Sequence, residues 1–304
     1  MQTLLLIGCG DIAQRAAPWL VKRFKVFALL RDPAQANAWR TLGCTPLIGD
    51  LDHPKTLKRI RGIANRVLHL APPPNSGDCD TRTQHLLLAL GGKTPVPTKH
   101  KPGSLPARLV YVSTTGVYGD CQGVEIDESR PTAATTARAQ RRVDAEQQLR
   151  TWGRETGCSI TILRAPGIYA GDRLPLDRIL RGTPALNTDE DVFSNHIHAD
   201  DLAHACCLAL FRGKAGRAIN VVDDSDLKMG DYFDAVADAY RLAKPPRLSK
   251  VELEQQLSPV QLSFMSESRR IGNHRLKQEL RLKLQYPTIQ DTLSHETKNL
   301  HDES

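Results

Sequence analysis

The sequence predicts an α/β protein built on a doubly wound parallel sheet. Three observations lead to this fold class: short apolar runs recur through the first half, helical patterns separate them, and a glycine-rich turn follows the first run. Runs that no polar residue dilutes are typical of strands buried on both faces of a parallel sheet, with helices as crossovers. The runs are TLLLIG (3–8), KVFALL (25–30), TPLIGD (45–50), RVLHLA (66–71), RLVYVS (108–113) and SITILR (159–164).

Two segments fall outside this rhythm of strands and helices. Residues 91–108 are rich in Pro, Gly and Lys, and we expect them to form an exposed loop before the fifth strand. After about residue 166 the strand pattern stops, which favours a smaller second domain contributed by the C-terminal part. The first half therefore carries the sheet, and the residues just after each strand are where a ligand should bind.

Length and composition are those of an ordinary globular protein. At 304 residues the chain is long enough for one large domain or two unequal ones. No apolar run approaches about 18 residues, so we expect no membrane span. The run LLLIG at residues 4–8 follows no basic segment and is interpreted as a strand, not as a signal peptide. Seven scattered cysteines without a C-x-x-C pair favour a reducing, cytoplasmic location.

The charge balance indicates either an anionic partner or a basic, solvated surface. The net charge is +7 and the isoelectric point is near 9.1. The sequence contains no zinc-finger spacing, basic zipper or aromatic-interleaved ribonucleoprotein motif. We therefore expect a small-molecule partner and no nucleic acid, and the sequence does not indicate an oligomeric state.

A G-x-G-x-x-A motif lies between the first strand and the helix that follows it. It comprises Gly8, Gly10 and Ala13, with Asp11 and Ile12 in between. The glycines permit a tight turn and the close approach of a pyrophosphate, whose charge the helix N-terminus stabilises. The motif alone is weakly specific, and a purely structural turn is the alternative. The preceding strand and the following helix favour dinucleotide binding.

The end of the second strand distinguishes the two nicotinamide cofactors. A carboxylate there accepts from the ribose 2′-hydroxyl of NAD, whereas an arginine pairs with the 2′-phosphate of NADP. Here Arg31 comes first, and Asp32 precedes Pro33 as a turn or helix-cap residue would. We therefore favour NADP. NAD remains the alternative, with Asp32 as the ribose ligand.

Further motifs resemble those of the extended short-chain dehydrogenase/reductases, the family of nucleotide-sugar epimerases and dehydratases. They are LVYVSTTGVYGD (109–120), LRAPGIYAGDR (163–173) and NHIHADDLAHA (195–205). Two more stretches are similar to an atypical bacterial epimerase/dehydratase-like subgroup, the YeeZ type: LAPPP (70–74) and SESRRIGNHRLKQELRLKLQYPT (266–288). The resemblance covers nearly the whole chain.

This resemblance implies a domain division. Residues 1–165 would form a dinucleotide-binding Rossmann domain, and residues 166–304 a smaller C-terminal substrate-binding domain. The segment 197–222 would return to the first domain.

The resemblance also implies further site residues, position by position. Asp50 and Leu51 of the GDL motif match the adenine contact, and Ala71 and Pro72 match the strand end over the nucleotide. Thr114 matches the family's catalytic Ser/Thr, which hydrogen-bonds the substrate oxygen. A threonine that only caps a strand end is the alternative for that position.

The family's catalytic Tyr-x-x-x-Lys pair is replaced in this chain. Counting back from Glu146 puts Arg142 at the lysine position and Arg138 at the tyrosine position. Arg142 can keep the cationic role, because a guanidinium is a fixed cation with several donors. Arg138 cannot pass a proton near neutrality and can only stabilise negative charge. Tyr118 and Tyr169 are possible substitute proton donors, with packing or substrate lining as the alternative.

Other polar residues are weaker candidates. The pair His196 and His198, followed by Asp200 and Asp201, suggests a metal site, but no further His or Cys ligand is identifiable. The resemblance implies a strand-to-helix junction there, with one of the two aspartates capping the helix, so we expect no metal. Three arginines are candidates for binding a substrate phosphate: Arg173, Arg269 and Arg270. For Arg269 and Arg270 a solvated surface is the alternative.

Two functions remain open from the sequence. The first is an NADP-linked oxidoreductase or epimerase-like enzyme that acts on an anionic small molecule with an altered proton-transfer step. The second is a catalytically silent dinucleotide-binding protein that serves as a redox sensor or scaffold.

Overall fold

The computed structural model describes residues 1–91 and 105–302. Most of the loop predicted over residues 91–108 lies outside the described residues. The strands are β1 (Gln2–Ile7), β2 (Phe24–Leu30), β3 (Thr45–Ile48), β4 (Arg66–His69), β5 (Arg108–Thr114), β6 (Glu125–Ile126), β7 (Ser159–Ala165), β8 (Gly167–Tyr169), β9 (Ala185–Leu186), β10 (Phe193–Ser194), β11 (His196–His198), β12 (Arg217–Asn220), β13 (Leu227–Lys228), β14 (Arg247–Leu248) and β15 (Arg270–Ile271).

Helices connect these strands. They are α1 (Asp11–Val21), α2 (Ala36–Thr41), α3 (Thr81–Leu90), α4 (Ala137–Thr156), α5 (Leu176–Leu180), α6 (Ala199–Arg212), α7 (Met229–Ala239), α8 (Lys250–Gln256), α9 (Pro259–Phe264), α10 (His274–Gln278) and α11 (Ile289–Asp302). Short 3-10 helices follow several strands, at Pro33–Gln35, Pro54–Leu57, Thr115–Tyr118 and Gly171–Arg173. In the described part of the chain, none of the helices combines the length and the apolarity needed to cross a membrane.

The main sheet formed by the described residues has seven parallel strands in the order β12-β7-β5-β4-β1-β2-β3. Each apolar run predicted as a strand contributes one of its members, so the doubly wound parallel fold is confirmed. The strand order reverses between β1 and β4, because successive strands are added outward on either side of β1. A crevice at the carboxyl ends of the strands forms at such a reversal, and ligands bind there.

Apolar side chains cover both faces of this sheet. Leu4 and Leu6 of β1 belong to a core cluster that includes residues of α1 and α6, whereas Leu5 and Ile7 belong to one that includes residues of α3 and α4. Successive strand residues point to opposite faces, so a continuous apolar run is what burial on both faces requires. The two helix layers thereby hold the carboxyl edge of the sheet, where the site forms.

A third core cluster lies in the C-terminal part of the chain. It includes Tyr169, Phe233, Leu253 and Leu293, and it packs α7, α8 and α11 around the short strand β9. Leu276, Leu280 and Leu282 belong instead to the cluster of α1 and α6, so the chain returns to this side of the sheet after β12. The division at residues 165/166 stays a prediction, although the third cluster begins close to it.

Candidate functional site

Two adjoining cavities open at the carboxyl ends of β1, β2, β4 and β5. One has a volume of about 370 Å³ and the other of about 500 Å³. They share Gly8, Gly10, Leu70 and Pro72 as lining residues, so together they form one cleft under the glycine-rich turn. Every residue predicted to bind the cofactor lines one or both: Gly8, Gly10, Asp11, Ile12, Ala13, Arg31, Asp50, Leu51, Ala71 and Pro72.

The two glycines of the glycine-rich turn differ in backbone conformation and in the space around them. Gly8 has φ +84°, and a Cβ there would stand 2.3 Å from the backbone nitrogen of Ala71, so the turn itself requires it. Gly10 has φ −98°, which any residue adopts, and a Cβ there would meet nothing within 4 Å. The open space beside Gly10 lies at the N-terminus of α1, where a pyrophosphate binds in such folds. The turn therefore fits a dinucleotide.

Two arginines offset the charge of Asp11 in this turn. The Asp11 carboxylate accepts from Nε of Arg15 at 2.8 Å and from Nη1 of Arg173 at 2.8 Å. Arg15 also donates to Asp172 and Asp200 at 3.0 and 2.9 Å. Burial alone would lower the pKa of Arg15, but hydrogen bonds to Asp200 and Asp11 raise it, so the guanidinium stays charged. The negative charge of Asp11, at the start of α1, is thereby offset.

The 370 Å³ cavity contains the residues predicted to distinguish the cofactors. Arg31 is exposed and lines it. The carboxylate of Asp32 accepts from the Ala34 backbone N–H at 2.9 Å and caps the 3-10 helix Pro33–Gln35, so the predicted cap role is confirmed. This cap engages one carboxylate oxygen of Asp32, which lines the same cavity, whereas the Arg31 side chain has no hydrogen-bond partner among the described residues.

Asp50, predicted as the adenine contact, is also held in place. Its carboxylate accepts from the Asp52 backbone N–H at 3.0 Å and pairs with Nδ1 of His53 at 3.0 Å. Burial raises the pKa of Asp50, but the hydrogen bonds from Asp52 and His53 outweigh burial and lower it overall. Asp50 is thus a fixed carboxylate in the wall of the cavity.

Sequence reasoning missed Arg82, which lines the same cavity from the first turn of α3. Its Nε and Nη2 donate to the two carboxylate oxygens of Asp52 at 2.7 and 2.6 Å. Its Nη1 donates to the carbonyl oxygen of Pro72 at 3.2 Å. The available signal was its place in DTRTQ, directly after the loop that follows β4.

The 500 Å³ cavity contains Arg142. Its Nη1 donates to Oη of Tyr111 at 2.9 Å and to the carbonyl oxygen of Val112 at 2.8 Å. Tyr111 is fully buried, and burial raises its pKa to about 12, so it remains a neutral acceptor. Arg138 lies in the first, exposed turn of α4 and, among the described residues, it does not belong to the lining of either cavity. Of Arg138 and Arg142, it is thus Arg142 that lines the cleft.

Thr114 lies at the carboxyl end of β5 and lines the same cavity as Arg142. Its Oγ1 accepts from the Gly116 backbone N–H at 3.2 Å and caps the 3-10 helix Thr115–Tyr118. We find no acceptor for its hydroxyl proton within residues 1–91 and 105–302. Thr114 therefore caps a turn and still has a donor to offer a ligand.

Tyr118, a predicted substitute proton donor, lies outside the described lining of both cavities. It is fully buried, its hydroxyl donates to Oδ1 of Asn220 at 2.8 Å, and the Arg164 guanidinium lies 4.7 Å from its ring centre. Burial raises its pKa. Tyr169 is buried as well and donates to Asp223 at 3.0 Å. The structure therefore favours the packing alternative for both tyrosines, because neither hydroxyl faces the cleft.

The two histidines considered for a metal site have structural partners. His198 accepts from the Asp200 backbone N–H through Nδ1 at 3.2 Å and so caps α6 itself. The expected cap by Asp200 or Asp201 was wrong: Asp200 binds Arg15, and Asp201 accepts from the backbone N–H groups of residues 285 and 286. Within the described ranges, no group of three or more His, Cys, Asp or Glu side chains is arranged to hold a metal ion.

Two of the three arginines predicted to bind a substrate phosphate are bound to neighbouring groups. Arg269 donates to the carbonyl oxygen of Gly119 at 2.9 Å and pairs with Glu267. Both carboxylate oxygens of Asp226 accept from Arg270. The third, Arg173, lines the 500 Å³ cavity and is the one that reaches the cleft.

A glycine-rich turn at a helix N-terminus, beneath a cleft at the carboxyl edge of a doubly wound parallel sheet, defines a Rossmann-fold, dinucleotide-binding class of protein. The sequence model of the NAD dependent epimerase/dehydratase family matches residues 22–222. This is more than half of the chain, and the chain belongs to that family. The resemblance seen in the sequence is thus confirmed.

Two curated relatives are similar to part of the chain. A 4-hydroxy-2-methyl-3-oxo-4-farnesyl-3,4-dihydroquinoline-1-oxide ketoreductase of Stigmatella aurantiaca is 29% identical over 133 residues, which are 43% of this chain and 39% of that protein. Protein YeeZ of Escherichia coli K12 is 27% identical over 139 residues, 45% of this chain and 48% of that protein. The chain thus matches less than half the length of either relative.

Solved structures match over nearly the full length. A functionally unknown conserved protein from Silicibacter pomeroyi DSS is 28% identical, with 99% of each chain covered and a TM-score of 0.78. A UDP-glucuronic acid 4-epimerase from Bacillus cereus, in complex with UDP-glucuronic acid and NAD, is 16% identical, with 99% and 100% covered and a TM-score of 0.74. At that identity, the epimerase supports the fold alone.

Proposed function

We propose that this chain is an NADP-dependent oxidoreductase that acts on a carbonyl or alcohol group of a small molecule. The observation that carries the proposal is the cleft, which all predicted cofactor residues line. The family supports a nicotinamide dinucleotide as cofactor. The choice of NADP rests on the end of β2, where Arg31 is exposed and Asp32 is used as a cap.

The chain's own residues would bind and orient the ligands. Arg31 would pair with the 2′-phosphate, and Arg142, held between Tyr111 and the Val112 carbonyl, would donate to the nicotinamide ribose. Thr114 would donate its remaining proton to the substrate oxygen. A bound nicotinamide would supply or accept the hydride.

The proton that balances hydride transfer has no tyrosine donor in the described lining of the 500 Å³ cavity. Neither Arg142 nor Arg173 gives up a proton near neutrality. The proton would therefore come from water, and Thr114 would hold the substrate oxygen while it is protonated. A slow proton step is the expected consequence of the replaced Tyr-x-x-x-Lys pair.

An anionic substrate remains part of the proposal on the strength of Arg173. This side chain lines the cavity beside Thr114, and the carboxylate that it binds, Asp11, also binds Arg15. Arg269 and Arg270 do not support it, because neither belongs to the described lining of that cavity. A cytoplasmic location likewise remains a prediction from the scattered cysteines, which are all unpaired.

A catalytically silent redox sensor or scaffold is the second candidate. The observation that favours it is the loss of both residues of the proton-relay pair, with Tyr118 buried against Asn220. Such a protein would keep the dinucleotide cleft and have no resident acid. The two candidates thus predict the same cofactor binding and differ in turnover.

The test is a titration of the purified protein with NADPH and NADH, followed by calorimetry. We expect wild type to bind NADPH more tightly and Arg31→Ala to lose that preference. Arg40→Ala, an exposed arginine of α2 that pairs with Asn37, is the matched control and should keep the preference. Equal or tighter binding of NADH by wild type would refute the NADP assignment. Tight binding of NADPH without its oxidation by any of a broad panel of carbonyl compounds would favour the sensor.

A further inference from the structure

Arg82 presents a cation to the part of the cleft that Arg31 also lines. Nε and one N–H of Nη2 bind Asp52, and Nη1 faces the carbonyl oxygens of Pro72 and Pro73 at 3.2 and 3.4 Å. A guanidinium has five N–H donors, so one N–H of Nη2 has no acceptor within the described residues. Arg82 is about four-fifths buried, because its side chain is 19% exposed. Its position is therefore fixed before any ligand arrives.

Asp52 pairs with this guanidinium from outside the described lining of the cavity. Arg31 and Arg82 both line the 370 Å³ cavity, whereas Asp52 does not belong to its lining. Hydrogen bonds from Arg82 hold the pKa of Asp52 below its usual range against the effect of burial, and the nearby charges of Arg82 and Arg31 lower it further. The two arginines thus line one cavity, and Arg82 is bound to Asp52.

We infer that Arg31 and Arg82 together form a phosphomonoester site, with Asp52 as the residue that positions Arg82. The inference rests on the proposed function and deepens it, because the ligand would be the 2′-phosphate of the dinucleotide. A phosphate dianion has oxygens enough for two guanidinium groups. Arg31 reaches it from the end of β2, and Arg82 reaches it from the start of α3.

The two arginines of this site differ in how well their side chains are ordered before a ligand binds. Arg31 is exposed and pays side-chain entropy when a ligand orders it, whereas Arg82 is held in place by Asp52 and by two carbonyl groups. A preordered donor contributes more of its hydrogen-bond energy to binding. Loss of Arg82 should therefore lower the preference for the phosphorylated cofactor at least as much as loss of Arg31.

The experiment measures the binding of four ligands to the full chain: NADPH, NADH, adenosine 2′,5′-bisphosphate and 5′-AMP. Arg82→Ala should weaken NADPH and the bisphosphate by about ten- to one-hundredfold, the usual worth of one charged hydrogen bond. It should change NADH and 5′-AMP by less than about threefold, because those ligands have no 2′-phosphate. Arg82→Lys keeps the charge without the fork and should fall in between.

Arg141→Ala is the matched control for disturbance of the loop that follows β4. Arg141 donates to the carbonyl oxygens of Gly77 and Asn75 in that loop, and it does not belong to the described lining of the 370 Å³ cavity. We expect its loss to leave the ratio of NADPH to NADH affinity unchanged.

Equal weakening of NADPH and NADH by Arg82→Ala would overturn the inference, because Arg82 would then contact a part that both cofactors share. An unchanged ratio would overturn it as well. If Arg31→Ala abolishes the preference while Arg82→Ala retains it, the proposed function stands and this inference alone fails. If wild type shows no preference for NADPH, both fail together.

Discussion

Arg173 binds the carboxylate of Asp11 through Nη1 at 2.8 Å, although 162 positions separate the two residues in the sequence. Arg173 ends the 3-10 helix after β8, whereas Asp11 begins α1 directly after the glycine-rich turn. Both residues line the 500 Å³ cavity. The pair therefore connects the glycine-rich turn to the segment that leads into the C-terminal core.

Loss of Arg173 should weaken NADPH and NADH to the same extent. Arg173→Ala leaves Asp11 with Arg15 as its remaining partner, so the turn becomes more negative beside a pyrophosphate that both cofactors share. The side chain is 37% exposed, and a pair of this kind contributes up to about 1 kcal/mol, so we expect up to about fivefold weaker binding. Calorimetry of both cofactors measures it, and Arg173→Lys is the charge-preserving control. An effect on NADPH alone would contradict this role.

Arg138 and Arg142 of α4 should differ in their effect on cofactor binding. Arg142→Ala should cost about 1.5–3 kcal/mol of binding free energy, because it removes a charged donor from the cleft. Arg138→Ala should leave cofactor affinity unchanged, because that side chain lies outside the described lining of both cavities. NADPH titrations of the two variants check this prediction. Wild-type affinity in Arg142→Ala would remove Arg142 from the cofactor site.

Tyr118→Phe should affect stability and leave the pH dependence of any turnover unchanged. The hydroxyl that it removes binds Oδ1 of Asn220 in a buried site, so we expect a loss of about 1 kcal/mol in the free energy of unfolding. Urea denaturation measures that loss, and Tyr240→Phe, at a half-buried position, should change it little. If turnover follows a group near neutral pH that disappears in Tyr118→Phe, Tyr118 is the proton donor after all.

Asp223 should make the protein less stable as the pH rises from about 4 to 7. Burial raises its pKa from 3.8 to about 7, so the folded protein binds a proton that the unfolded chain has already released across this window. The contribution of Asp223 is largest below the unfolded pKa and is lost as the pH rises through the folded pKa. Asp223→Asn should lack this dependence.

The measurement is urea denaturation of wild type and Asp223→Asn between pH 4 and pH 7. The stability of wild type relative to the variant should fall steadily with rising pH. Asp224→Asn is the control, because that side chain is more exposed. A constant difference between wild type and Asp223→Asn would mean that Asp223 titrates as an ordinary carboxylate. His196 and His198 make the protein more stable as the pH rises, because burial lowers the pKa of both to about 4. Comparing wild type with Asp223→Asn removes this contribution, because both proteins contain the two histidines.

The sheet and the glycine-rich turn could be predicted from the sequence because their causes are local. A strand buried on both faces must be apolar throughout, and the φ of +84° at Gly8 demands glycine. The positions of the arginines on α4 depend instead on where the helix meets the sheet. The spacing places Arg138 and Arg142 on one face, yet only Arg142 reaches the cleft, while Arg141 is buried and binds the loop after β4.

Long-range partners explain the other differences between sequence and structure. Arg82, which lines the 370 Å³ cavity, is held by Asp52, 30 positions earlier in the sequence. No local sequence pattern predicts that pair. His198 caps α6 because the helix begins at Ala199, so Asp200 and Asp201 lie inside its first turn, where they bind Arg15 and the backbone of residues 285 and 286. When a side chain can bind several groups, its actual partner can be assigned only once its tertiary neighbours are known.

The chain returns to the main sheet late in the sequence, so the sheet and its core are complete only when C-terminal residues are present. β12 pairs along β7, so a fragment that stops at residue 165 would leave β7 as an unprotected edge. The same fragment would lack Leu276, Leu280 and Leu282, which complete the apolar layer over α1 and α6. Residues 1–165 are therefore not an independent module, and a chimera that exchanges the C-terminal segments must retain β12 and α10 instead of joining the two parts at a single point.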